Sequence, residues 1–210
     1  MKKIISDIYH KFLRYKFLDN YVSVDYEAFF NIENSKTEKY RLKLFDKFNL
    51  KSVKTILDYG CGYGINLKVL KDINPKFILN GMDISKNDLR MLEIINNNLL
   101  KNHINILDHE NLKNLKGKFD LVFTDAVLIY VNQRVIKEQI KNLINSSKKY
   151  LLFHELTYEF NKSKISHLNI HDFRSLIKSI DPKLKISLYK SLKQGTPWSS
   201  HGTIILILKK

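Results

Sequence analysis

The sequence predicts an α/β fold built on a doubly wound, mostly parallel sheet with one antiparallel strand near the C-terminus. Three observations carry that prediction. From residue 53 onward strand-like and helix-like runs alternate, the pattern of parallel βαβ units. Three of the seven glycines fall within five positions, in Asp58-Tyr59-Gly60-Cys61-Gly62-Tyr63-Gly64, where an apolar strand turns into a helix. The last two strand-like runs are separated by Gly195, Pro197 and Gly202 with no room for a crossover helix, so they must run antiparallel, and the sheet should end in that strand.

Strands are expected near residues 53–59, 77–83, 103–107, 119–125 and 149–155. The helix over 64–73 is stopped by Asn74-Pro75, and the next, over 85–98, opens on Ser85 as N-cap with Asp88 three residues on. A short helix near 110–115 and a longer one over 132–146 follow. After a polar, histidine-bearing connection, a helix over 170–180 ends at Asp181-Pro182, and strands at 184–190 and 202–209 complete the chain. Residues 1–50 predict a helical N-terminal extension whose rings Tyr21, Tyr26, Phe29 and Phe30 either pad the sheet or form a lid over a ligand crevice. No repeat or linker divides the chain, which is expected to be one domain: a helical cap over 1–50, a core over 51–156, and loops with an antiparallel hairpin over 157–210.

Composition narrows the function classes. No apolar run approaches the roughly 20 residues that span a bilayer. The N-terminus begins like a signal peptide, but Asp7, His10, Lys11 and Arg14 interrupt it, so a cytoplasmic location without membrane insertion is expected. The single cysteine, Cys61, excludes an internal disulfide or a cysteine metal cluster, and no histidine pair has zinc-site spacing, so no metal is expected. The net charge of +15 suggests an anionic partner, yet 31 of the 36 basic residues are Lys and only 5 are Arg, the side chain best suited to phosphate and base recognition. With 25 Ile and 20 Asn against 2 Ala, the charge also fits codon bias spread over solvated faces. Nucleic acid therefore ranks behind a small molecule as partner.

Residues Ile56 to Gly64 resemble the first motif of the class I S-adenosylmethionine-dependent methyltransferases, an apolar strand ending Leu-Asp-x-Gly-Cys-Gly-x-Gly. Further stretches are similar to that family's next strands in order: Asn80-Gly81-Met82-Asp83-Ile84-Ser85, Asn105-Ile106-Leu107-Asp108-His109, and Lys118 to Asp125. The resemblance implies a Rossmann-like, seven-stranded sheet and S-adenosyl-L-methionine as cofactor. It also implies a site at Asp58, Gly60, Cys61, Gly62, Asp83, Ile84, Asp108, His109 and Asp125. The physics of the residues agrees. An acid ending the second strand accepts ribose hydroxyls, which is the role implied for Asp83. The spacing Gly60-x-Gly62-x-Gly64 departs from the Gly-x-Gly-x-x-Gly of dinucleotide sites, and Asp58 would repel a pyrophosphate but attract an ammonium or sulfonium. Asp108 either accepts from the adenine amino group or caps the turn after it. The Cys61 thiol, with no base nearby in sequence, suits a small buried hydrophobe.

Methyl transfer from a sulfonium needs an aligned nucleophile and, for a hydroxyl, a base. Candidates at the carboxyl ends of strands four and five are Asp125 and Tyr130, then His154 and Glu155; His154 has the most suitable pKa, although a satisfied strand-end histidine is the plainer alternative. His167, His171, Trp198 and His201 are expected to rim the same crevice. There is no Asn/Asp-Pro-Pro-Tyr stretch and no second cysteine for base methylation. A small polar or anionic acceptor leads, and the combination of a helical front, the His154-Glu155 strand end and the Gly195-Thr196-Pro197-Trp198 loop looks similar to small bacterial methylases of sugar or surface-polysaccharide pathways. An RNA methyltransferase and a non-catalytic S-adenosylmethionine-binding protein are the alternatives.

Overall fold

In the computed structural model the described residues are 41–42, 44–46, 49–157, 169–190 and 203–209. Strands β1 (Thr55–Tyr59), β2 (Ile78–Asp83), β3 (Ile104–Asp108), β4 (Phe119–Asp125), β5 (Ser147–Glu155), β6 (Lys185–Lys190) and β7 (Thr203–Leu208) form one sheet ordered β3-β2-β1-β4-β5-β7-β6. Helices α1 (Ile65–Ile73), α2 (Lys86–Asn98), α3 (Ile136–Ser146) and α4 (Phe173–Ile180) flank it. The first five strands are parallel, and β7 runs antiparallel to both β5 and β6. The strand order reverses between β1 and β4, which opens a crevice at their carboxyl ends.

One expectation needs correction. The antiparallel strand does not end the sheet, because β7 lies between β5 and β6. Its sequence, Thr-Ile-Ile-Leu-Ile-Leu, is apolar on both faces and belongs in the interior, whereas the alternating Lys-Ile-Ser-Leu-Tyr-Lys of β6 tolerates an edge. Two helices also differ from expectation. The short one is a 3-10 turn, His109–Asn114, and the one expected from 132 starts only at Ile136, after a second 3-10 turn, Leu128–Tyr130. The Ser85 cap is present, with its side chain accepting from the Asp88 amide at 3.2 Å. Most of the expected N-terminal cap, with Tyr21, Tyr26, Phe29 and Phe30, lies outside the described residues.

Strand periodicity sorts the core into two faces. Ile56, Leu121, Phe123 and Leu152 pack with Leu67, Leu70, Leu92 and Ile95 of α1 and α2. Their alternate neighbours Leu57, Val122, Leu151 and Phe153 pack with Ile140, Leu143, Phe173 and Ile177 of α3 and α4. Helical residues ahead of β1 join the first face: Leu44 and Phe45 are buried there, and Phe45 meets Phe123 edge-on with ring centroids 5.3 Å apart. Fully burying one such ring stabilises the fold by roughly 2–3 kcal/mol. At the strands' carboxyl ends the same alternation puts Asp58, Asp125 and His154 on the α1 face and Thr124 and Glu155 on the other.

The glycine loop is shaped by close packing. Gly60 has φ 79° and donates its amide to the Met82 carbonyl at 2.7 Å. A Cβ at Gly60 would stand 2.2 Å from Val127 Cγ2, so the loop after β1 and the loop after β4 can touch only through a residue without a side chain. Gly60→Ala should therefore lower stability by about 2–4 kcal/mol in denaturant unfolding, combining positive-φ strain with overpacking. Adding Val127→Ala should recover part of that loss; a double variant no more stable than the single one would show that the Val127 contact is not the cause.

Candidate active site

Asp58 is completely buried at the end of β1, and among the described residues neither of its oxygens has a hydrogen-bond partner. Burial first, and then the charges of Asp125 and Asp83, push its carboxyl well above the usual carboxylate range; Arg41 and Asn66 counter this only in part. Asp83, at the end of β2, braces the loop from below: its Oδ2 accepts from the Gly62 amide at 2.8 Å and its Oδ1 from the Ser85 amide at 2.8 Å. Gly62 has φ 53°, and a Cβ there would point into open space. Asp108 sits opposite Asp83 in register, is 61% exposed, and accepts from the Glu110 amide at 3.0 Å, with His109 Nδ1 at 3.7 Å. Ile84, which follows Asp83, is 75% exposed. The Cys61 thiol is buried, and burial with the nearby Asp58 raises its pKa well above normal, so it is a protonated packing group.

A polar chain runs beneath the loop. Arg41 Nε donates to Asn66 Oδ1, Asn66 Nδ2 donates to Asp125 Oδ2 at 3.3 Å, and Asp125 Oδ1 lies 2.6 Å from His154 Nδ1. Arg41 reaches this place because it precedes Leu44 and Phe45 by three and four helical positions and so shares their inward face. Asn66 enters from the first turn of α1. Burial raises the Asp125 carboxyl and lowers His154 to about 4. At neutral pH the ring is therefore uncharged, and facing an ionised Asp125 its Nδ1 carries the proton, since two lone pairs would repel at 2.6 Å. Nε2 is then the basic nitrogen.

Glu155 faces the other way. Its Oε1 accepts from the Thr124 hydroxyl at 2.8 Å and from the amides of Val127 and Leu128 at 3.0 Å each, and its Oε2 from the Ile129 amide at 3.3 Å. Burial raises it to about 7 while these donors favour the ionised form. The carboxylate thus ties down the turn after β4, whose first residue, Ala126, is held at φ 57°, a conformation that costs about 1 kcal/mol. His171 secures the same turn: it is buried, not at the rim as expected, and its Nε2 donates to the carbonyls of Leu128 and Val131 at 3.1 Å each. Tyr130, 56% exposed, projects from this turn. His167, Trp198 and His201 lie outside the described residues. Sequence reasoning missed Arg41 and Asn66; the available signal for Arg41 was its helical spacing from Leu44 and Phe45.

A seven-stranded, mostly parallel sheet with acids near the carboxyl ends of β1, β2, β3 and β4 defines a Rossmann-like methyltransferase fold. Residues 31–191 match the family model described as a methyltransferase domain, and the chain belongs to that family. It is similar to an uncharacterized protein of Methanocaldococcus jannaschii, 30% identical over 138 residues that cover 62% of this chain and 57% of that protein, so it spans little more than half of that relative. Among solved structures it resembles magnesium protoporphyrin IX methyltransferase from Synechocystis PCC 6803 with bound SAH, at TM-score 0.64, 16% identity and full coverage of both chains. It also resembles a SAM-dependent methyltransferase from Aquifex aeolicus, at TM-score 0.60 and 18% identity, covering 83% of this chain and 92% of that one. At these identities the shared property is the fold. Among the described residues no helix is long and apolar enough to cross a membrane.

Asp58 should destabilise the protein in the absence of ligand. Because its folded pKa lies above the ordinary value, the folded state binds more protons than the unfolded one, and stability falls as pH rises from the usual carboxylate range through the folded pKa. Asp58→Asn removes that dependence. At pH 8 the variant should unfold about 1–3 kcal/mol later than the parent, and the gap should shrink on acidification; a variant less stable at pH 8 contradicts the reading.

Proposed function

We propose that this methyltransferase moves the methyl group of S-adenosylmethionine to a hydroxyl of a small polar acceptor, with His154 taking the hydroxyl proton. The acceptor class is a sugar, sugar nucleotide or phosphorylated metabolite of the kind used in polysaccharide building. The observation that carries this reading is the 2.6 Å contact of His154 with Asp125 at the adjoining ends of β5 and β4, on the sheet face that also holds Asp58.

The residues fit the methyl donor. Asp58 has two buried acceptor oxygens that an ammonium would satisfy. Asp83 keeps acceptor capacity for ribose hydroxyls beyond its two amide bonds, and Asp108 and Ile84 offer a hydrogen-bond acceptor and an apolar surface to an adenine. His109 borders the same edge. When bound, S-adenosylmethionine supplies an electrophilic methyl on a sulfonium, a good leaving group. Asp125 holds the imidazole in the Nδ1–H tautomer and stabilises the imidazolium once Nε2 has taken the acceptor's proton. The imidazolium so formed would be held beside the Asp125 carboxyl. Glu155 acts in support by fixing the turn that carries Tyr130, which we place at the acceptor's edge.

His154→Gln should lower turnover by about 10²–10⁴-fold while leaving S-adenosylhomocysteine affinity nearly unchanged; a wild-type rate would move the base to Tyr130 or the loops. In the parent, protonation of Nε2 removes the base, and because His154 is lowered to about 4 the rate should stay level as pH falls through the ordinary histidine range. An acid limb near 6.5 that persists in Glu155→Gln, which removes the other group raised into this range, would contradict the assignment. A screen with labelled methyl donor should find an acceptor that survives nuclease treatment of a cell extract; loss of labelling on treatment points to nucleic acid instead.

A further inference from the structure

Each of the first five strands has a lysine at its start and an acid at its far end. Lys54 and Asp58 frame β1, Lys76 and Asp83 β2, Lys101 and Asp108 β3, Lys118 and Asp125 β4, and Lys148 and Glu155 β5. Because β7 runs antiparallel to both β5 and β6, β6 starts at the same end of the sheet, on Lys185. All six lysines are exposed, and none forms an ion pair among the described residues. Strands lie about 4.8 Å apart, so the row crosses the sheet from β3 to β6 over roughly 29 Å. Acids at this end do not neutralise it: Asp72 pairs with Lys68, Asp120 accepts from the Lys54 and Thr55 amides, and Asp181 accepts from the Lys183 amide. Helix dipoles explain other lysines here. Lys71 and Lys178 lie in the last turns of α1 and α4, and Lys209 donates to the Ile144 and Ser147 carbonyls at the end of α3. The six at the strand starts have no such employment.

A small anion would engage two or three of these side chains, whereas a row of this length matches an extended polyanion. Nucleic acid is the poorer match. Arg41, Arg90, Arg134 and Arg174 all lie away from this end, and the exposed rings Tyr130 and Tyr189 stand toward the crevice, so the face has neither bidentate phosphate readers nor stacking platforms. It has exposed aliphatic groups instead: Ile73, 38% exposed at the end of α1, and Ile78, 52% exposed at the start of β2, flank Lys76. Lysine charge with aliphatic side chains beside it suits a lipid surface. We propose that the amino-end face of the sheet binds the surface of an anionic lipid bilayer, without insertion, and turns the crevice at the opposite end toward solution. The +15 charge then acts through a tethering face and not through the acceptor site.

The test is sedimentation of the full chain with phosphatidylcholine vesicles that contain or lack phosphatidylglycerol. The parent should bind only the anionic vesicles, and added salt should release it. Lys54→Gln, Lys76→Gln, Lys101→Gln and Lys148→Gln together should weaken that binding at least about a hundredfold, since each lysine near an anionic surface contributes about fivefold. A control with Lys86→Gln, Arg134→Gln, Lys137→Gln and Lys141→Gln removes the same charge from other surfaces and should stay within about fivefold of the parent. Equal losses in the two variants would show that net charge, and not this face, attracts the vesicle, and would overturn the inference. If the first variant does not unfold cooperatively, its four single substitutions decide: each must weaken vesicle binding a fewfold, and four unchanged singles overturn the inference. A parent that ignores anionic vesicles, or binds neutral ones as well, overturns it too. Release of bound parent by duplex RNA at a matching phosphate concentration assigns the face to nucleic acid instead.

Discussion

The side chain of Asp58 is buried at the end of β1, and among the described residues neither of its oxygens has a hydrogen-bond partner. Burial without compensation costs several kcal/mol for a full charge, and Asp83 and Asp125 add repulsion. Polar neighbours of Asp58 bond to other groups. Asn66 gives its oxygen to Arg41 and its amide to Asp125; the Gly62 amide goes to Asp83. An ionised carboxylate buried in this way would attract a cationic partner more strongly than it would in water.

The two faces of the sheet divide the labour. On the α1 face, Arg41, Asn66, Asp125 and His154 form a polar chain beside Asp58, where the proposed site lies. On the opposite face, Glu155, held by the Thr124 hydroxyl, accepts from three consecutive amides of the turn after β4, and His171 holds two of its carbonyls. That turn starts in a strained conformation at Ala126 and presses Val127 against Gly60. The supports on one face thus set the geometry of the loops that meet above the other, and they do so without entering the crevice.

Much of the scaffold was legible in the sequence because it depends on local chemistry. The Gly60 to Gly64 spacing, the Ser85 cap and the acids at the strand ends are short-range signals, and they occupy the expected places. The loop between the last two strands announced an antiparallel pair. Which strand would lie inside was also available, in the uniformly apolar β7 against the charged ends of β6, but it requires weighing burial on both faces. His154 and Glu155 looked alike as strand-end titratable groups; alternation along β5 separates them, one toward Asp125 and the other toward Thr124. Arg41 could not be read from any motif, because its role arises from tertiary packing of Leu44 and Phe45 onto Phe123. His171 lies in a connection without periodicity, where burial leaves no mark in the sequence.

The acceptor is the least constrained part of the molecule, since it must be read from loops and not from the sheet, whereas the donor site rests on named atoms. A crystal structure of the protein with S-adenosylhomocysteine tests that site most directly. The ligand ammonium should lie within about 3 Å of the Asp58 carboxylate, the ribose against Asp83, and the thioether sulfur on the side of His154. A ligand bound elsewhere, or one seated in the crevice with Asp58 still unpartnered, would contradict the account at its centre.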